Sequence, residues 1–279
     1  LQRSYGLNDV ALLDGDEVRH RYPWLTPQIV VATYRGGDGW IDSARAVSAM
    51  AASSGCSIYL RTHAVALECE NGKIVAVRTD RGRIACGSVV LAAGPFSSTL
   101  SPEPLPLATI RRHRVIVRPQ SAIPQMGPVT IDANTGAHWR PHLGGALMAW
   151  AQPEAPEPAQ WPVPADPEFV NLVLRGDQGI GRLAPFWHDL WPILSDHDIV
   201  LTAGQYTMTP DHHPLIGPAR ETDGLFLNTG YSGHGIMGAP AGARLLADIM
   251  DDADVGHNPY SPARDMDGSS AHRSEKMVI

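Results

Sequence analysis

The glycines at 233, 235 and 238 are the first residues whose types and spacing could do chemistry. They sit in the stretch Gly224-Leu-Phe-Leu-Asn-Thr-Gly-Tyr-Ser-Gly-His-Gly-Ile-Met-Gly238. Glycines let a backbone approach a ligand closely. A helix starting at the same place leaves free N–H groups and the positive end of a dipole aimed the same way. Such a turn suits an anionic or electron-rich group, a phosphate or the pyrimidine edge of a reduced flavin. The same three glycines match the dinucleotide pattern G-x-G-x-x-G. That pattern opens a strand–helix–strand unit and needs an acidic residue about 20 residues on. After Met250 the chain runs Asp-Asp-Ala-Asp and then turns polar, with no apolar strand. This argues against a nicotinamide dehydrogenase using the turn. A tight strand–helix corner with no ligand is the remaining alternative.

Other candidates are weaker. Asp211, His212 and His213 contain metal-ligating types, but adjacent histidines on an extended segment point opposite ways and cannot easily share one ion; no metal site is expected. Trp139, Arg140 and His142 share a strand-like segment, and Tyr206 lies in another; their bland reading is an ordinary aromatic and cationic surface. Met237, by default, is core. There is no P-loop, no G-x-S-x-G elbow and no suggestively spaced pair of carboxylates.

The elements that must position these residues follow from periodicity and punctuation. Leu225–Asn228 is a short apolar strand leading into the glycine turn. Behind the turn, Ala239, Ala243, Leu246, Ala247 and Met250 fall on one helical face. Earlier, Val10–Leu13 is strand-like, and Asp14 or Asp16 caps a short helix through Arg21, before Pro23. Asp42 or Ser43 caps a helix over Ala44–Ser53, ended by Gly55. Cys56–Leu60 then reads as a strand, the helix-to-strand step of a parallel sheet. His63–Cys69, Lys73–Thr79 and Arg83–Cys86, joined by Asn71-Gly72 and Asp80-Arg-Gly82, make a three-stranded antiparallel meander. Ser88–Gly94 is a buried parallel strand delivering a loop at its carboxyl end. Strands follow at Arg112–Arg118, Val129–Asp132, Ala137–Arg140 and Ala146–Trp150. A proline-rich loop occupies 153–167, a helix opens at Asp166, a second helical stretch covers Ile180–Leu194, and Ile199–Gly204 is a strand. Leu1–Gly6 reads as the end of a helix, so the chain is expected to begin inside something larger. The residues beyond about Asp252 read as a disordered polar tail.

Composition sets the frame. The 279 residues are 43% hydrophobic and 18% charged, ordinary for a globular chain of one large or two smaller domains. A net charge of −7 argues against nucleic acid. Cys56, Cys69 and Cys86 lack metal spacing and read as reduced thiols of a cytoplasmic protein. No run is long and apolar enough to be read as a membrane span, and no signal peptide is evident.

These segments together resemble the FAD-dependent oxidoreductases of the D-amino-acid oxidase superfamily, nearest the branch of sarcosine oxidase, glycine oxidase and dimethylglycine dehydrogenase. The matching pieces, in the family's order, are Gly36-Gly-Asp-Gly-Trp-Ile-Asp42, the meander, Val89-Val-Leu-Ala-Ala-Gly94, Gly136-Ala-His-Trp-Arg-Pro141, Tyr206-Thr-Met-Thr-Pro-Asp211 with Pro214-Leu-Ile-Gly217, and Gly230-Tyr-Ser-Gly-His-Gly-Ile-Met237. The resemblance implies a mixed α/β (α+β) fold: part of a discontinuous FAD-binding domain (36–100 and 198–252) and an antiparallel or mixed-sheet substrate domain (101–197). Residues 1–35 would form an edge segment of the substrate domain and 253–279 the tail, with FAD between the two domains.

By the same resemblance, Val65 touches the adenine through its backbone, Ala93 and Gly94 line the cofactor, and Gly233, His234, Gly235, Ile236 and Met237 offer donors to the flavin. Gly235 is expected to need a positive φ. Tyr206, His234 and Arg140 are the substrate-side candidates. The implied reaction oxidises the C–N bond of an amino acid or a secondary or tertiary amine by hydride transfer to flavin N5. The implied partners are that small-molecule substrate and an N-terminal FAD-binding chain or subunit. The alternative is a non-catalytic remnant or partner subunit that does not bind FAD alone.

Three departures matter. The family's N-terminal strand–G-x-G-x-x-G–helix is missing from these residues. Gly204 stands where monomeric sarcosine oxidases tether flavin to a cysteine. Met237 and Met148 stand where those oxidases carry lysines for substrate carboxylate and oxygen, so both substrate and electron acceptor are expected to differ from theirs.

Overall fold

The computed structural model describes residue 4 and residues 6–266. The expected helix end at Leu1–Gly6 therefore lies largely outside the described residues, as does the tail beyond 266. In chain order the first elements are β1 (Ala11–Asp14), α1 (Gly15–Arg21), β2 (Val31–Tyr34) and α2 (Ser43–Ser53). The meander is β3 (Ala64–Glu70), β4 (Lys73–Thr79) and β5 (Gly82–Ala85), followed by β6 (Val89–Leu91) and α3 (Ser97–Leu100). Next come β7 (Ala108–Val117), β8 (Thr130–Ile131), β9 (Ala137–His142) and β10 (Gly145–Trp150). The helices α4 (Glu168–Arg175), α5 (Ile180–Leu183) and α6 (Phe186–Leu190) lead to β11 (Ile199–Met208), β12 (Leu215–Pro218), β13 (Leu225–Thr229) and α7 (Gly235–Met250).

The chain divides into two compact units. Unit 1 comprises residues 1–42, 112–152 and 164–204; unit 2 comprises 43–111, 153–163 and 205–279. The boundary falls inside β7 and inside β11. Residues 153–163 group with unit 2. Glu157 pairs there with Arg111 and accepts from Gln205 Nε2 at 2.6 Å, while its N–H donates to the Thr109 carbonyl at 2.8 Å.

Unit 1 holds a five-stranded sheet of order β11-β7-β10-β9-β8 and the antiparallel pair β1–β2. Alternation along β9 buries Ala137, Trp139 and Pro141 and leaves His138, Arg140 and His142 half-buried on the other face. Trp139 meets Phe186 and Trp187 edge-on, with ring centroids 5.5 and 5.8 Å apart, so the helical segment covers the buried face. Val115, Met148, Leu174 and Ile180 complete that core. At α1 a capping box closes the first turn: Asp14 Oδ1 accepts from the Glu17 N–H at 2.9 Å, and Glu17 Oε2 accepts from the Asp14 N–H at 3.1 Å. The helical stretch expected over Ile180–Leu194 is broken into α5, α6 and a 3₁₀ turn, because Pro185 and Pro192 interrupt it.

Unit 2 holds the β3-β4-β5 meander and a small sheet of order β12-β13-β6, in which β13 and β6 run parallel. Its core is Ile74, Leu91, Leu215, Leu225 and Leu227. Helix α7 lays Gly242 and Leu246 onto the core; Gly242 lies close to Ile216 of β12. The expected face of Ala243, Ala247 and Met250 is exposed, so the buried stripe is turned away from the one drawn from alanine spacing.

Two expectations are corrected. Cys56–Leu60 is not a strand; among the described residues no strand pairs with it, and Tyr59 and Leu60 are 70% and 77% exposed. Nor are residues 253–266 a loose tail. Arg264 donates to both oxygens of Asp211, at 2.7 and 2.9 Å, and Asn258 Nδ2 donates to the Ile216 carbonyl at 2.8 Å. No helix among the described residues is long and apolar enough to cross a membrane.

Candidate functional site

The turn between β13 and α7 is built from three residues in the left-handed region: Gly230 at φ 75°, Ser232 at φ 51° and Gly233 at φ 91°. Ser232 is fully buried and stitches the turn to the end of β11. Its N–H donates to the Thr207 carbonyl at 3.0 Å, and its Oγ accepts from the Thr209 N–H at 3.3 Å. Gly233 has no room for a side chain, since a Cβ would stand 2.4 Å from Cε2 of Tyr206. The Tyr206 ring therefore lies directly against the turn. Gly235 is different: it opens α7 with an ordinary φ, and its Cβ would meet Tyr231 Cβ at an unstrained 3.6 Å. The conformationally demanding glycine is thus Gly233, not Gly235 as the sequence suggested.

His234 stands at the N-terminal boundary of α7, and its side chain does not cap the helix. Its carbonyl takes the N–H groups of Met237 and Gly238, at 3.1 and 2.9 Å. The N–H groups of Gly235 and Ile236 meet no acceptor among the described residues. Ile236 and Met237 are exposed, so Met237 is not core. The helix start thus presents two free donors and a positive dipole end beside the Tyr206 ring.

The neighbouring loop is tied to the same place. After β6, Ala93 leads into Gly94, which takes φ 52° and opens a 3₁₀ turn; a Cβ on Gly94 would lie 3.9 Å from Thr207 Oγ1. Behind it Ser97 Oγ and Thr229 Oγ1 share a buried hydrogen bond of 3.0 Å. The loops after β6 and β13, two parallel neighbours, are therefore pinned together at their carboxyl ends, where α/β sheets present ligands. Tyr206 is positioned from its other side by Gln205, whose Oε1 accepts from the Gln160 N–H at 3.0 Å and whose Nε2 donates to Glu157. The fold thus gathers Ala93, Gly94, Tyr206 and Gly233–Met237.

Val65 lies on β3, in the same unit. Ala64 pairs with Thr79 and Ala66 with Arg78, so Val65 is the extra residue of a bulge. Bulging takes its backbone out of the ladder, and the residue is half exposed.

Arg140 belongs to unit 1. Its Cζ sits 4.1 Å from the centre of the Trp40 ring, a cation–π contact. Its Nη1 donates to the Pro141 carbonyl at 3.1 Å and approaches His142 Nδ1 at 3.3 Å. An arginine cannot accept, so His142 Nδ1 accepts and its proton sits on Nε2. Burial, then the charges of Arg140 and Arg114, push His142 below its usual pKa, with Asp42 opposing. Burial also lowers Arg140, and Arg114 adds repulsion against Asp42. Sequence reasoning missed Trp40 and Arg114. The alternation Arg112-His113-Arg114 signals two arginines on one strand face, but nothing in it reveals their neighbours across the sheet.

The histidine pair has a structural place. His212 turns the chain at φ 63°, and the His213 ring lies 6.0 Å from that of Tyr260. Asp211, beside them, is committed to Arg264.

A family model described as FAD dependent oxidoreductase matches residues 1–249. Among curated proteins, the chain is 28% identical over 261 residues to the bifunctional protein ThiO/ThiG of Synechocystis sp., covering 91% of this chain and 37% of that protein. It is also 28% identical over 263 residues to a D-amino-acid oxidase of Bradyrhizobium diazoefficiens, covering 90% of this chain and 59% of the oxidase. Among solved structures, L-proline dehydrogenase from P. horikoshii superposes with a TM-score of 0.78 at 22% identity, over 92% of this chain and 69% of that one. The chain thus spans about two fifths to three fifths of the length of these two curated relatives.

Proposed function

Because this chain belongs to the FAD dependent oxidoreductase family, we propose that it forms the flavin-contacting and substrate-binding part of an enzyme that oxidises the C–N bond of an amino acid or a secondary or tertiary amine. The observation that carries this reading is the turn at Gly233. Side-chain space is excluded there, and two uncommitted backbone donors stand at a helix start. This arrangement fits the electron-rich pyrimidine edge of FAD, the family's cofactor. Gly233, His234, Gly235, Ile236 and Met237 hold that edge in the proposal, Ala93 and Gly94 line the cofactor, and the bulged backbone of Val65 meets the adenine.

FAD, when bound, supplies the two-electron acceptor. The chain's own residues do the positioning. The donors at the start of α7 favour negative charge near them and so favour the reduced cofactor. Tyr206, His234 and Arg140 are the proposed substrate contacts. Loss of a hydride equivalent from the carbon next to a neutral amine would leave an iminium ion, which water hydrolyses to a carbonyl compound and the freed amine; the hydride step requires no general base. Gly204 is exposed, with open space where a side chain would project, and it offers no group for a covalent flavin bond.

A covering polypeptide is part of the proposal. Helix α2 buries no residue; Val47, Met50, Ile58, Tyr59 and Leu60 are exposed apolar groups of unit 2. A segment or subunit carrying a strand–G-x-G-x-x-G–helix would cover such residues and supply pyrophosphate contacts. The relatives named D-amino-acid oxidase and glycine oxidase support an amino-acid substrate. The three unpaired cysteines support a cytoplasmic location.

The test supplies excess FAD to the chain and follows reduction of an artificial dye acceptor on adding amino acids, N-methylated amino acids and simple amines. Amine-dependent dye reduction is expected. No reduction with any amine at saturating FAD would favour the alternative, a non-catalytic subunit. FAD affinity of the chain alone is expected to be weak, several orders of magnitude short of tight binding, at about 1.4 kcal/mol for each tenfold. Purification with tight stoichiometric FAD and no second chain would remove the covering polypeptide from the proposal.

A further inference from the structure

The proline-rich segment 153–163 is fastened by one side chain to the strand that carries Tyr206. Gln205, the residue before Tyr206 in β11, uses both ends of its amide on this segment. Its Oε1 accepts from the Gln160 N–H at 3.0 Å. Its Nε2 donates to the Pro158 carbonyl at 2.9 Å and to Glu157 Oε1 at 2.6 Å. A flipped amide would set its oxygen against a carbonyl and a carboxylate, and its NH₂ against an N–H, so the contacts admit one orientation. All these residues belong to unit 2.

Glu157 is the fixed point of the arrangement. Its own N–H donates to the Thr109 carbonyl at 2.8 Å, and its Oε2 takes Arg111 Nε at 3.1 Å together with Arg111 Nη2. The Arg111 hydrogen bonds hold the Glu157 carboxyl below its usual pKa, with burial opposing and Gln205 and Gln160 adding to the effect. At neutral pH this side chain is therefore an acceptor only, and a charged acceptor makes the stronger bond to Gln205. Thr109 and Arg111 lie on β7, Gln205 on β11, so one carboxylate ties the segment to both strands. Neighbouring residues of a strand point to opposite sides. Gln205 thus faces the segment and Tyr206 faces the turn, where a Cβ on Gly233 would stand 2.4 Å from Cε2 of the ring. Ser232 stitches the strand end from the turn side, through Thr207 and Thr209; Gln205 braces it from the other. A ring seated this closely is displaced by any shift of the strand end.

We propose that Glu157 and Gln205 are positioning residues: the carboxylate, anchored by Arg111, orients the Gln205 amide, and the amide sets the end of β11 so that the Tyr206 ring stays seated on the Gly233 turn. The role of Tyr206 towards substrate rests on the oxidation reading above; the brace itself stands on unit 2 alone.

The test follows the ring itself. The full chain is labelled with 3-fluorotyrosine and studied by fluorine NMR, the Tyr206 signal being identified by its absence in Tyr206→Phe. Glu157→Ala should shift or broaden that signal and leave those of Tyr34 and Tyr260 in place. Glu157→Gln, which keeps an acceptor for Gln205, should recover most of the wild-type signal. Gln205→Leu should repeat the Glu157→Ala change, and it serves if that variant fails to fold. A Tyr206 signal unmoved in both Glu157→Ala and Gln205→Leu would overturn the brace, as would a change spread over all the tyrosines. With excess FAD and an amino acid that the chain oxidises, Glu157→Ala should lower kcat/KM for dye reduction about 10- to 100-fold, the scale of a reacting group misplaced by about 1 Å, and Glu157→Gln should lower it less. Equal losses in the two variants would overturn the role of the acceptor. A Tyr206 signal that moves in a chain oxidising no amine would support the brace while the oxidation reading falls; amine oxidation with the signal unmoved would do the reverse.

Discussion

Replacing Gly233 with alanine tests the turn where the structure is least forgiving. Two costs apply. At φ 91° an L-residue is strained by about 1–2 kcal/mol. The new methyl would also stand 2.4 Å from Tyr206 Cε2, about 1 Å inside ordinary contact. The neighbour is an aromatic ring near the end of β11, so it yields only by moving the strand end or the turn, an overpacking cost of about 1–3 kcal/mol. The sum, roughly 2–5 kcal/mol, corresponds to a fall of about 5–15 °C in melting temperature for a chain of this size. Gly235→Ala is the matched control. It adds the same methyl two residues on, with 3.6 Å to the nearest atom and a helical backbone, where alanine is favoured over glycine by about 1 kcal/mol. Its melting temperature should hold or rise. Differential scanning fluorimetry of the two variants, with FAD titration of the folded fraction, reads both effects. FAD affinity should suffer in Gly233→Ala more than in Gly235→Ala. A Gly233→Ala protein melting within about 2 °C of wild type, or a larger loss in Gly235→Ala, would refute the geometry of the turn.

Further outcomes concern what holds unit 2 together. Burial tends to raise the Asp211 carboxyl, but the Arg264 hydrogen bonds outweigh it and bring its pKa to about 2, from 3.8. A lowered folded-state pKa gives stability that is present above about pH 4 and lost as pH falls towards 2, worth about 2 kcal/mol. Urea unfolding at a series of acidic pH values should show this slope, and Asp211→Asn should flatten it; an unchanged slope would contradict the assignment. Glu103 is buried and accepts from the Arg220 and Glu221 N–H groups, both at 2.9 Å, and from Thr222 Oγ1 at 3.0 Å. Glu103→Gln turns one acceptor into a donor and should cost about 1–3 kcal/mol, read as a lower urea midpoint; an unmoved midpoint would show the cluster to be dispensable.

Local signals made most of the elements readable. The cap at Asp14 or Asp16, of which the structure uses Asp14, the helix ended by Gly55, the meander turns at Asn71-Gly72 and Asp80-Arg-Gly82, and the apolar run before the glycine turn all act over a few residues, and each has its counterpart in the structure. What escaped depends on long-range partners. Cys56–Leu60 has the composition of a strand, but a strand exists only where another pairs with it. Residues 253–266 are polar, yet the guanidinium of Arg264 finds Asp211 more than fifty residues back. The glycine pattern located the turn, but only φ and the Tyr206 ring separate Gly233 from Gly235. Arg140 was legible as a candidate; Arg114 was not, because β10 separates their strands.

The division into two units has a consequence for how the protein can be made and cut. Six alternating segments make up the two units, so the chain crosses their boundary five times. Neither unit is a contiguous piece of polypeptide. A ribosome must release residues as far as Gly204 before unit 1 has all its parts, and by then about half of unit 2 has also emerged, still lacking the end of β11, β12, β13 and α7. Domain-by-domain folding from the N-terminus, the usual course for larger chains, is therefore closed to this one. A protease that nicks any single loop releases neither unit, and the cut protein should run as one particle on a sizing column until a denaturant separates its fragments.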